Sequence, residues 1–130
     1  MIVVNNRAEL KKLIDQRIKE QGPNCDLNDL DVSKVKDMSF LFYKTNFNGD
    51  ISNWDVSNVK NMRGMFACSI FDGDISKWDV SKVRYMNYMF DHSYFNGDIS
   101  KWNVLKVVDM YCMFYNTPLS GNEPEWYRPW

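Results

Sequence analysis

Residues 47–59 read Phe47-Asn48-Gly49-Asp50-Ile51-Ser52-Asn53-Trp54-Asp55-Val56-Ser57-Asn58-Val59, and the chain repeats itself 24 positions later. Phe71, Gly73, Asp74, Ile75, Ser76 and Trp78 fill the same slots, as do Phe95, Gly97, Asp98, Ile99, Ser100 and Trp102. Downstream, Val59/Val83/Val107, Met62/Met86/Met110, Met65/Met89/Met113 and Phe66/Phe90/Phe114 keep the step. One period upstream, Asp26, Leu27, Leu30, Val32, Val35, Met38, Leu41 and Phe42 match it. No insertion breaks the register from residue 23 to 118. A fixed period of this size marks units that bury their apolar faces only against neighbours.

Within a unit the hydrophobic period changes. Phe47, Gly49 and Ile51 alternate with Asn48, Asp50 and Ser52, which is strand spacing. Beyond Trp54, Ser57 is placed to cap a short helix with Val59, Met62 and Phe66 on one face. This pattern predicts an α/β repeat: a short right-handed leucine-rich-repeat-like solenoid. A parallel sheet lies on one side, short helices on the other, and a helical cap closes the N-terminus. Residues 1–22 are read as a cap strand (Ile2-Val3-Val4) and a helix started by Asn6. Residues 23–118 make four repeats, and 119–130 form a C-terminal cap, with Leu119 and Trp126 in the Phe and Trp slots. With both ends capped, the 130 residues are expected to be a complete single-domain protein.

Composition narrows the function classes. Lys and Arg total 16 against 17 Asp and Glu, a net charge of −1, which argues against gripping nucleic acid by bulk charge. Apolar residues at 45% exclude a disordered chain, and their short runs exclude a membrane span. The apolar stretch at the N-terminus is too short for a signal peptide, so a cytoplasmic location is expected. Cys25, Cys68 and Cys112 are odd in number and lack CxxC spacing, which reads as reduced thiols. With His92 the sole histidine, no zinc site is expected.

The unit running from Phe47 to Val59, followed by Met62, Met65 and Phe66, resembles the repeat of the BspA-like leucine-rich-repeat family over about residues 24–118. That resemblance implies a binding scaffold without enzymatic activity, of the kind bacterial surface proteins use to bind host proteins and other cells. It also implies that a surface location is compatible with the chain.

Candidate chemistry is sparse. Asp50, Asp74 and Asp98 form a ladder that would make the strand face acidic, but short carboxylates in turns ordinarily accept nearby backbone N–H groups. Identical units also supply like environments, whereas a catalytic acid and base need unlike ones. No nucleophile or nucleotide-binding motif is present, so neither catalysis, metal nor cofactor is expected. The basic rows, Lys34/Lys82/Lys106 and Lys36/Lys60/Arg84, read as the solvated face of the short helices. Specificity in a repeat protein resides in what does not repeat: Arg63, Tyr85, Tyr88, Tyr94, Tyr111 and Tyr115. The expectation is a non-enzymatic, intracellular protein-binding module that inhibits a macromolecular partner sterically. The alternative function is a bacterial surface adhesin-type protein that binds host or cell-surface proteins. The alternative to the tyrosines as the binding site is the acidic strand face of Asp50, Asp74 and Asp98.

Overall fold

In the computed structural model, which describes residues 1–129, regular secondary structure is confined to the N-terminal quarter. Strand β1 (Ile2–Val3) is followed by helix α1 (Arg7–Gln21) and strand β2 (Leu30–Asp31), and β1 pairs in parallel with β2 in the register Ile2 to Leu30. Asn6 starts α1 by accepting the Glu9 N–H at 2.9 Å, while the Glu9 carboxylate accepts the Asn5 N–H at 2.9 Å. Gly22, at φ 89°, ends it by donating to the Ile18 carbonyl at 2.8 Å.

The leucine-rich-repeat-like solenoid expected from the periodicity is not the architecture found. Among the described residues there is one helix and one two-stranded sheet, so the 24-residue units carry neither a sheet on one side nor short helices on the other. With no solenoid of strands and helices to close, the expected helical cap is not found as such; α1 packs Leu10 and Ile14 into the one continuous core.

Hydrogen bonding explains the departure. The N–H groups of Met38, Phe40, Phe42 and Lys44 donate to the carbonyls of Asn61, Arg63, Met65 and Ala67 at 2.8–3.1 Å. The next units do likewise, with Met62 to Tyr85 and Met86 to Asp109, both at 2.9 Å. Alternate N–H groups are therefore spent on the following unit and cannot build a series of bonds to the residue four back. Left-handed residues at Phe40, Lys44, Tyr88 and His92 interrupt helical geometry further. The predicted strand segments fail for a related reason. Asp72 donates its N–H to the Asn48 side-chain oxygen, and Asn96 to that of Asp72, each at 2.9 Å, so side chains replace the backbone carbonyls of a ladder. Parallel bridges instead line up along Asp37, Asn61, Tyr85 and Asp109.

What repeats is the core. Phe42, Phe66, Phe90 and Phe114 stack face to face at 5.4, 5.7 and 5.8 Å between successive centroids. Phe47, Phe71 and Phe95 form a second stack at 6.1 and 6.4 Å, and Trp54 packs on Trp78 at 6.4 Å. Seven methionines, from Met38 to Met113, fill the spaces between them and are buried. Gly64 marks one tight point. Its φ of +59° suits glycine, and a Cβ there would overlap the Phe40 ring.

Candidate functional site

The frame consumes its repeating polar residues internally. Asp50, Asp74 and Asp98 each accept two hydrogen bonds at Oδ1, from the hydroxyl and the N–H of Ser52, Ser76 and Ser100 respectively. The serine hydroxyl first, and its N–H second, hold all three carboxyls below the ordinary aspartate range. These turns match the local role short carboxylates take in loops. Among the described residues no three metal-ligating side chains converge.

The non-repeating aromatics are placed differently. Tyr85, Tyr94, Tyr111 and Tyr115 are between 43% and 67% exposed, while Tyr88 is half-buried. Tyr88 and Tyr111 meet edge to face at 5.6 Å, and the Arg63 guanidinium lies 5.9 Å from the Tyr88 ring. A hydrogen bond with the Cys112 thiol is the main cause that raises the Tyr111 hydroxyl above its usual pKa. Tyr115 packs on His92 at 5.3 Å, and His92 in turn bonds Asp91 at 2.8 Å. Arg63, Tyr88 and Tyr111 are thus brought together. Tyr85 stands beside them in the bridge column. Tyr94 stands apart, its N–H donating to the Ser69 carbonyl at 3.1 Å.

Sequence reasoning missed two members of this ridge. Phe40 lies 5.8 Å from the Arg63 guanidinium, so Arg63 is near rings two units apart, across Gly64. Tyr43 meets Phe40 edge to face at 5.5 Å. The signal was available, since Phe40, Gly64 and Tyr88 occupy one slot at the 24-residue step. Reading that slot for its change from ring to glycine to ring would have found the notch.

The basic rows are not a helix face, because no helix forms there. Lys36, Lys60, Lys82, Arg84 and Lys106 line a depression of about 680 Å³. The three cysteines are free thiols, and burial pushes the Cys25 thiol up.

Residues 9–126 match the model of a family described as "Mycoplasma protein of unknown function, DUF285". This match corrects the assignment to the BspA-like leucine-rich-repeat family. No curated protein and no solved structure matches the chain.

Proposed function

We propose that this chain, which belongs to the DUF285 family, is a non-catalytic protein-binding module whose contact surface is the ridge of Arg63, Tyr88, Tyr111 and Tyr115, flanked by Tyr85. One observation carries the reading. The repeating apolar residues are buried in the core and the repeating aspartates are tied into turns, whereas Tyr85, Tyr111 and Tyr115, which break the repeat, are exposed, and Tyr111 meets the half-buried Tyr88. Rings with few rotatable bonds and a polar tip give large contact area at modest entropic loss, the chemistry enriched at protein interfaces. Without a reacting constellation, such a module acts by covering its partner, so steric inhibition is its mode of action. Three free thiols suit a reducing, intracellular setting.

Site-specific photocross-linking tests this. A benzophenone side chain at position 111 or 115 is expected to capture one defined protein in the native cell, and the same group at position 76 none. Equal capture from all three positions, or from position 76 alone, would reject the ridge.

A further inference from the structure

A net charge of −1 conceals how the cations are arranged. Lys34, Asn58, Lys82 and Lys106 occupy one slot in successive units, and Lys36, Lys60, Arg84 and Val108 another two residues on. Backbone bonds hold the second row in line. The Lys60 N–H donates to Lys36, Arg84 to Lys60 and Val108 to Arg84, each at 2.8 Å. Hydrogen-bonded segments lie about 4.8 Å apart, so like charges are held side by side. The depression these residues line, about 680 Å³, has five cations and no carboxylate on its walls. The Lys82 Nζ donates to Asn58 Oδ1 at 3.2 Å. Among the described residues the ion pairs are Lys11–Asp15, Arg17–Asp29 and His92–Asp91, none of which involves this band. The neighbouring Asp31 and Asp79 are engaged by the hydroxyl and N–H of their own Ser33 and Ser81.

Five cations line the depression with no carboxylate among them, an arrangement that favours an extended anion. The surface is concave, which admits a chain and not the plane of a bilayer. Tyr85, with an exposed ring, adjoins Arg84 in sequence at the edge of the depression, while Tyr111 lines a separate depression with Cys112 and Tyr115. Leu105 and Val108, 83% and 62% exposed, extend the lining of the depression as an apolar shelf. Cations that track a backbone beside aromatic faces that stack bases are the elements of single-strand recognition. An acidic peptide would satisfy the charges and leave the Tyr85 ring without a planar partner. We propose that this groove binds the phosphodiester backbone of single-stranded nucleic acid, with bases directed to Tyr85 and without sequence preference. Composition argued the other way because it reports the sum of the charges, whereas the 24-residue step sorts them into columns.

The test is fluorescence anisotropy with a labelled oligouridine of about 12 nucleotides, starting near about 50 mM salt. Saturable binding is expected, with a slope of log K against log salt of about −3.5, from five phosphates at about −0.7 each. The double variant K60E/R84E is expected to unfold at the wild-type temperature, bind at least about tenfold more weakly and flatten the slope by about 1.4, two phosphates at about 0.7 each. The pair K11E/K12E on α1 should bind like wild type. Absence of saturable binding, equal loss from K11E/K12E, or displacement of the oligouridine by an equimolar oligoglutamate would overturn the proposal.

Discussion

The indole Nε1 of Trp78 donates to the backbone carbonyl of Ile51, 27 residues earlier, at 3.1 Å. Trp54 to Leu27, Trp102 to Ile75 and Trp126 to Ile99 repeat the bond at 2.9, 3.1 and 2.9 Å. Each tryptophan therefore does two things: it fills the core, and it satisfies a carbonyl that a continuous strand would have paired. Where regular structure is scarce, such side-chain bonds perform the cross-linking that a sheet ladder performs elsewhere.

Trp78→Ala is accordingly expected to cost about 3–5 kcal/mol, since it opens a cavity between Trp54 and Phe66 and leaves the Ile51 carbonyl with the Trp54 N–H as its one remaining donor. Trp78→Phe retains most of the ring volume and loses the donor, an expected cost of about 1–3 kcal/mol. Urea unfolding should order the proteins wild type, Phe, Ala. Indistinguishable midpoints would refute the dual role.

Gly64→Ala introduces strain at φ +59° and drives a methyl into the Phe40 ring. The loss should exceed the roughly 1–2 kcal/mol of left-handed backbone strain alone, because the ring must also move. Gly121→Ala, also at positive φ but in open space, should show the backbone part only. If the two substitutions shift the thermal midpoint equally, the Phe40 contact is not what limits position 64.

The core was legible in the sequence to the residue, because a strict period forces Phe47, Trp54, Met62 and Phe66 to meet their copies. Secondary structure was not. Alternation at Phe47, Gly49 and Ile51 has strand period whether neighbours pair through backbone or side chains. The segment pairs through backbone with Pro23 and Cys25 on one side, but Asp72 and Asn96 bond the Asn48 and Asp72 side chains on the other. Likewise Val59, Met62 and Phe66 have helical spacing, yet the intervening N–H groups bond the next unit. Periodicity reports which side chains face inward and is silent about where the amides go. For the site, lack of repetition picked out Tyr85, Tyr94, Tyr111 and Tyr115, which are exposed, together with Tyr88, which is half-buried, and passed over Phe40.

Acid should weaken the fold through the aspartate turns. The native carboxyls of Asp50, Asp74 and Asp98 titrate below the ordinary value of about 3.9. A depressed native pKa means the contribution is full above that value and is lost as pH falls through the native one. Urea midpoints should therefore be flat between about pH 5 and 7 and decline below about pH 4. The double variant Ser76→Ala/Ser100→Ala removes two hydroxyl donors and should make the acid limb shallower. The remainder reflects Asp31, Asp50 and Asp79, lowered chiefly by the hydroxyls of Ser33, Ser52 and Ser81, and Asp29, lowered chiefly by its hydrogen bonds with Arg17. An unchanged limb would show that these turns do not set the acid response.

Binding on the ridge, not on the repeating acidic turns, is tested most directly by titrating the cross-linked partner against three proteins. These are the wild type, Tyr111→Ala/Tyr115→Ala and Asp74→Ala/Asp98→Ala. Loss of more than about 2 kcal/mol of affinity is expected for the tyrosine pair, with an unchanged melting temperature, and essentially none for the aspartate pair. Wild-type affinity in the tyrosine variant, or a loss confined to the aspartate variant, would contradict it.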